Sequence, residues 1–302
     1  MTGTVTHRLV VEAAGGRLDK FVAERCPELS RTQAQKLIED GDVTVNGETA
    51  RPGLRLTVGD RIEVRVPPVT ASSLEPEAIP FGVLYEDDDL LVIDKPAGLP
   101  VHPAPGHPGH TLANGILAYL SAPPDTGDAL RPGIVHRLDK DTSGVMLVAK
   151  NRLAHAGLSR QFKSREVSKV YLALVRGRLS PDRGVIEAAI GRDPRNRKRM
   201  AVVADDRGRA ARTRYRVVKY AGNHSLLEVT TETGRTHQIR VHLAAIGHPV
   251  VGDATYGPKP AAAPRQFLHA RRLGFRLPSS GEYVEFESDL PADLEQVLAG
   301  LA

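Results

Sequence analysis

Apolar positions along the chain fall into short runs that switch between helical and extended spacing. Arg17 to Arg25 places Leu18, Phe21 and Val22 on one side of a short helix. Arg31 to Asp40 does the same with Ala34, Leu37 and Ile38, with Ser30 as N-cap and Gly41 as the stop. On this second helix Thr32, Gln35, Lys36 and Glu39 face outward, and Arg31 lies on the flank. Asp42 to Gly47 reads as a strand entering an Asn46-Gly47 hairpin turn, and Arg61 to Val66 alternates charged and apolar side chains. These elements outline a small α/β unit over residues 15–66, behind an N-terminal extension of residues 1–14. Residues 67–80 are rich in Pro, Ser and Glu and read as a linker with some freedom.

The rest, residues 81–302, reads as one larger domain. Leu90 to Ile93 is a short apolar strand. Thr111 caps a helix whose Leu112, Ile116, Tyr119 and Leu120 share a face, and Asn151 caps another with Leu153, Leu158 and Phe162 inward. Lys169 to Arg176 alternates as a strand with Tyr171, Ala173 and Val175 on one face; Arg212 to Val218 and Leu226 to Thr231 follow as strands. Strands outnumber helices and several are neighbours in sequence, so the pattern predicts an α+β fold with a mixed, mainly antiparallel sheet.

Composition narrows the class. Hydrophobic residues make up 41% and charged residues 25%, ordinary for a globular protein. The first sixteen residues lack the features of a signal peptide, and no apolar stretch is long enough to span a bilayer, so no membrane partner and a cytoplasmic location are expected. Cys26 is the only cysteine, which excludes an internal disulfide and a thiolate-rich metal site. The net charge is only +5. Its distribution is uneven, because Arg192 to Arg216 holds ten Lys/Arg against three acids. Charge of one sign concentrated this way points to a polyanion, with nucleic acid favoured.

One run carries candidate chemistry. His136 to Gly144 sets Asp139 in a polar turn beside Arg137 and Lys140, just before an apolar strand. Nearby cations favour the charged form of a carboxylate, and one held on a loop by a rigid strand can serve as nucleophile or base. Alone, such a run is an ordinary turn: Asp141, Thr142 and Ser143 form turns readily, and Gly144 lets the backbone pass closely. Histidines 102, 107 and 110, and the pair His237 and His242, raise a zinc reading, but their spacing is poor for it. No Gly-x-Ser-x-Gly elbow marks a serine hydrolase, and no Gly-Lys dipeptide exists for a P-loop.

Three segments give the run its meaning: His136 to Gly144, Lys169 to Ala173, and Thr233-Gly234-Arg235-Thr236-His237-Gln238-Ile239-Arg240-Val241-His242. With Ile93 to Leu99, Val101 to Leu112 and Gly247 to Asp253, they resemble the pseudouridine synthases of the RluA/RluD type. The small unit, with Arg17-Leu18-Asp19, Ser30-Arg31 and Val45-Asn46-Gly47, resembles the S4 RNA-binding domain. The resemblance implies an isomerase that cleaves the N1–C1′ bond of a uridine, turns the base and joins C5 to C1′. Such chemistry needs no cofactor and no metal. By the same resemblance Asp139 is the essential carboxylate, Arg240 its ion-pair partner, and Tyr171 a ring packing on the base and a candidate base. Arg137 helps fill the space of the extruded nucleotide. Arg17, Arg31 and Lys36, with Arg195, Arg197, Lys198 and Arg199 of the basic run, are implied RNA contacts. The expected partner is structured RNA, large-subunit ribosomal RNA or its precursor particle, met by a monomer. The stretch His102 to Thr111 favours an RluD-like target, the helix 69 stem-loop. Another ribosomal or transfer RNA site, or a non-catalytic assembly factor, remains the alternative.

Overall fold

The computed structural model describes residues 5–12, 16–26, 29, 31–66, 74–103, 108–120, 124, 132–196, 199–258 and 263–301, apart from the side chains of residues 5, 32 and 33. Contacts divide the chain into two units, residues 1–72 and 73–302.

The first unit contains β1 (Val5–Val10), α1 (Leu18–Arg25), α2 (Arg31–Glu39), β2 (Val43–Val45), β3 (Glu48–Thr49) and β4 (Arg61–Val66). Its strands form an antiparallel sheet in the order β1-β4-β2-β3. The stretch expected as an N-terminal extension therefore supplies an edge strand, registered from Val5 against Val66 to Val10 against Arg61. Burial alternates only weakly along it, with His7 and Leu9 half-buried between exposed Thr6, Arg8 and Val10, and β4 supplies the pairing partner. Asn46 and Gly47 both take positive φ (53° and 88°), the geometry that turns β2 into β3. Leu18, Val22, Ala34 and Ile38 close over Val43, Ile62 and Val64 to make the core. Ser30, the expected cap of α2, lies outside the described residues.

The second unit runs β5 (Gly82–Glu86), β6 (Leu90–Lys95), α3 (Leu112–Tyr119), β7 (Ser143–Ala149), α4 (Arg152–Ser164), β8 (Ser168–Arg176), β9 (Arg183–Glu187), β10 (Ile190–Arg192), β11 (Met200–Val202), β12 (Arg212–Ala221), β13 (His224–Thr231), α5 (Gln238–Ala245), β14 (Leu268–Arg276), β15 (Tyr283–Glu287) and α6 (Ala292–Ala299). Nine of its strands share one sheet, in the order β5-β6-β7-β14-β8-β13-β12-β9, with β15 on β14. Only β7 and β14 pair in parallel, so the sheet is mixed and mainly antiparallel. β10 and β11 form a separate hairpin. Gly144 sits at φ 115° where β7 meets β14, and a Cβ there would collide with the Ala270 carbonyl oxygen. Only glycine lets these two strands start side by side. Among the described residues no helix is long and apolar enough to cross a membrane.

Three further expectations change. Residues 74–80, read as linker, are fastened to α3: Asn114 Nδ2 donates to the Glu75 carbonyl at 2.8 Å, and Leu74 packs on Ala113 and Leu117. Leu74 and Ile79 are the apolar anchors that the average composition of the segment concealed. Leu153 is 84% exposed rather than inward, because α4 buries the stripe Ala154, Leu158 and Gln161. Asn151 does cap that helix, accepting from Ala154 N–H at 2.9 Å. Tyr119, expected on the buried face of α3, is 46% exposed. Its hydroxyl reaches outward to Glu86 at 2.8 Å.

Candidate active site

The turn before β7 is held from several sides. His136 Nε2 accepts the Leu147 N–H at 2.9 Å, and its ring stacks on Phe162 at 4.5 Å. Burial lowers the His136 pKa to about 3, so the ring is a neutral acceptor at physiological pH. Lys95, fully buried, donates from Nζ to the carbonyls of Pro96, Leu99 and Lys140 at 2.7, 2.9 and 3.0 Å. Burial pushes its pKa down to about 7, opposed by Asp141 and Asp139. Three carbonyl acceptors require three N–H donors, which only the ammonium carries, so we assign Lys95 as charged. Arg265 NH1 donates to the Asp141 carbonyl at 3.1 Å, and Gln266 Nε2 to Thr142 Oγ1 at 2.8 Å. Ser143 Oγ lies 3.0 Å from His269 Nδ1. The residues read as simple turn formers thus also bind the turn to the strand β14 and the segment before it.

The geometry fixes Asp139 against α5. Arg240 NH1 donates to Asp139 Oδ2 at 2.8 Å, while Nε and NH2 hold Asp253 at 2.7 and 2.9 Å. Arg240 and Asp253 side chains are 6% and 0% exposed and Asp139 17%, so the arginine is sunk and the carboxylate faces the opening. Burial alone would lower the Arg240 pKa, but the Asp253 hydrogen bonds and the charge of Asp139 outweigh it and raise the pKa. Asp253 Oδ1 also accepts the N–H groups of Thr255 and Tyr256 at 2.8 and 3.0 Å, which keeps its own position. A bidentate carboxylate on one edge of a guanidinium orients the remaining N–H toward Asp139.

Tyr171 of β8 lines the same cleft as Asp139, Arg137, Arg240, His237, Thr231 and Gly234. Burial, followed by the charge of Asp139, raises its phenol to about 12, partly offset by a hydrogen bond with Thr231. At physiological pH it is a neutral phenol, suited to packing a ring against a base and poorly suited to removing a proton. Arg137 is exposed at the rim.

The basic run behaves differently in space from its appearance in sequence. Arg212 and Arg214 pair with Glu232 at 2.9 and 2.8 Å, and Arg216 with Glu228 at 3.1 Å. Glu228 of β13 and Glu232 just after it thus neutralise three of its ten cations. Arg195, Arg207 and Arg209 are exposed, and Arg199 lies with its Cζ 5.0 Å from the Tyr256 ring centroid. Arg197 and Lys198 lie outside the described residues. In the first unit Lys36 is exposed, but Arg17 and Arg31 both clasp Asp19, at 2.9 Å each, with Gln35 Nε2 at 2.6 Å. Hydrogen bonds from Arg17 hold Asp19 well below the usual carboxylate range. Gln35, expected to face outward, turns to this buried acid.

His242 engages both ring nitrogens, with Thr213 Oγ1 at 2.9 Å and the Ala188 carbonyl at 3.1 Å, and His110 meets Glu77 at 3.2 Å. His107 lies outside the described residues. Sequence reading missed the roles of Lys95 and Asp253 and the cleft position of His237. Lys95 and Asp253 stood inside stretches that carried the resemblance, but nothing in their local pattern marked them as buried.

Comparison with known proteins agrees with this architecture. The RNA pseudouridylate synthase family model matches residues 89–245, and the S4 domain model matches residues 16–62. A Chloroflexus aurantiacus protein described as an uncharacterized RNA pseudouridine synthase is 52% identical, over 94% of this chain and 90% of its own. Ribosomal large subunit pseudouridine synthase D of Xanthomonas campestris is 45% identical, over 96% of this chain and 90% of its own. The solved structure of human RNA pseudouridylate synthase domain containing 1 has a TM-score of 0.58 and 32% identity, covering 71% of this chain and 85% of the human one. The chain belongs to the RNA pseudouridine synthase family and carries an S4 domain ahead of its catalytic domain.

Proposed function

We propose that this enzyme converts uridine to pseudouridine in large-subunit ribosomal RNA, at the helix 69 stem-loop, with Asp139 as the essential carboxylate. The observation that carries the reading is the carboxylate held by Arg240 at 2.8 Å on the floor of a cleft that also contains Tyr171. A uridine inside folded RNA reaches such a cleft only when extruded, at a cost of a few kcal/mol. Arg137, exposed at the rim, occupies the vacated space in this reading. Tyr171 packs on the base as a neutral ring. Asp139 stands beside the sugar, where the N1–C1′ bond breaks and the C5–C1′ bond forms; the C5 proton is lost and N1 gains one, so atoms balance without a cofactor or metal. Large-subunit ribosomal RNA as target is supported by the name of the Xanthomonas relative. RNA affinity comes from Lys36 and the outer edges of Arg17 and Arg31 in the S4 domain, and from Arg195, Arg197, Lys198 and Arg199 of the basic run. The working unit is a monomer on a precursor of the large subunit. Mapping pseudouridines in total RNA from cells with and without the gene tests the address: sites absent only from the deletion strain and lying in helix 69 support it. Loss at a transfer RNA or another ribosomal site would replace it.

A further inference from the structure

Asp139 has two oxygens, and among the described residues only Oδ2 has a donor. Arg240 takes Oδ2; Oδ1 faces His237 Nε2 at 3.9 Å. His237 stands at φ 56°, ψ 22°, the left-handed region that costs a non-glycine residue about 1–3 kcal/mol and recurs at functional sites. It is the N-cap of α5 yet makes no side-chain capping bond, and its ring lines the cleft instead. Its Nδ1 lies 2.9 Å from the Tyr256 hydroxyl, with the two rings edge to face at 5.7 Å. That hydroxyl already accepts the Met200 N–H at 2.9 Å, so its own proton is available to His237 Nδ1. An imidazole that accepts at Nδ1 carries its proton at Nε2, the nitrogen turned toward Asp139. Burial lowers the His237 pKa, opposed by Asp139, and favours this neutral form.

We propose that His237 is a positioning residue for the carboxylate: its Nε2–H, set by the Tyr256 hydroxyl, closes onto Asp139 Oδ1 when the uridine enters, and the β10–β11 hairpin transmits RNA contact to it. The proposal rests on Asp139 being the catalytic group. A gap of 3.9 Å is too long for a hydrogen bond, and active-site hydrogen bonds commonly tighten only with substrate present. The hairpin is joined to this relay twice, through Met200 N–H and through Arg199 over the Tyr256 ring at 5.0 Å. Arg240 also lies with its Cζ 5.2 Å from the centroid of the same ring. With both oxygens held, Asp139 keeps one orientation toward the sugar.

Two measurements on the full-length chain test this. Nitrogen-15 spectra of the histidine rings in the free enzyme should show His237 protonated at Nε2, and Tyr256→Phe should abolish that preference. A proton at Nδ1 in the wild type would overturn the proposal. The second is single-turnover tritium release from a saturating large-subunit ribosomal RNA transcript labelled at uridine C5. His237→Ala should slow release on the order of 100-fold with RNA affinity within about twofold. His237→Gln, whose amide nitrogen reaches the Nε2 position, should recover most of the rate, whereas the shorter His237→Asn should not. A His237→Ala rate near wild type, equal failure of Gln and Ala, or a loss confined to affinity would overturn it. Turnover persisting in Asp139→Asn would refute the underlying reading. A wild type inactive on this RNA would refute the target, and the tautomer spectrum would then decide the role of His237.

Discussion

Arg240 holds Asp139 and Asp253 with one guanidinium, NH1 on the first at 2.8 Å and Nε with NH2 on the second at 2.7 and 2.9 Å. The acid facing the cleft is thus steered by an acid that never reaches it. The division of labour makes the two carboxylates separable by mutation.

Asp139→Asn keeps the shape of the side chain and removes its charge, while Arg240 retains Asp253. RNA affinity should stay within about tenfold, roughly 1.4 kcal/mol. Pseudouridine formation should vanish, read as loss of carbodiimide-dependent primer-extension stops.

Asp253→Asn should fail differently. It leaves a buried guanidinium without its bidentate partner, which costs about 3 kcal/mol or more. A lowered urea midpoint should accompany a turnover loss on the order of 100-fold, since Arg240 is then free to swing away from Asp139. Unchanged stability would mean that the pair is more solvated than its burial indicates.

Lys95→Met should strip three carbonyls of their donor, at a cost of about 1–3 kcal/mol for each group left unsatisfied. The Lys140 carbonyl belongs to the Asp139 turn, so hydrogen exchange should quicken around residues 138–142. Turnover should fall while RNA affinity holds.

The S4 domain should be acid-sensitive through Asp19. Its carboxyl is held below the usual range in the folded state, so its contribution is present at neutral pH and is lost as pH falls through the folded-state pKa. Cys26 is fully buried in that unit's core and is the only cysteine, so its reaction with an acid-tolerant disulfide reagent reports opening of the unit. Acidification should expose Cys26, and Asp19→Asn should expose it already at pH 7. Protection of Cys26 in the Asn variant would show that the Arg17–Asp19–Arg31 cluster does not hold the unit closed.

Exposed and paired arginines of the basic run should differ in salt dependence. Replacing Arg195 and Arg209 by alanine should reduce the slope of log K against log salt by about 0.7–0.9 per residue that meets phosphate. Replacing Arg214 and Arg216, already paired with Glu232 and Glu228, should change it much less.

Much of the architecture was legible in the sequence because it is written in local terms. Alternation along Lys169 to Arg176, the Asn46-Gly47 turn and the Asn151 cap each depend on a few neighbouring residues and the backbone geometry they favour. Leu153 shows the limit of that reading: a leucine near a helix start looks buried until the stripe Ala154, Leu158 and Gln161 is seen to face the sheet. The first strand and residues 74–80 were missed for a related reason, since pairing with β4 and docking on α3 depend on partners far along the chain.

Asp139, Tyr171 and Arg240 could be singled out from their motifs, but their meeting could not. Asp139 and Arg240 are 101 residues apart and touch because α5 follows β13 over a sheet whose centre is β7-β14-β8. The sequence by itself determined the mixed sheet, the family and many of the elements, and it nominated Asp139, Tyr171 and Arg240 as the chemistry-bearing groups. Only the tertiary structure decided that Lys95 and Asp253 are buried supports, that His237 faces Asp139, and that part of the basic run is cancelled by Glu228 and Glu232. Burial and electrostatics act through space, whereas periodicity reports only what lies within a turn or two along the chain.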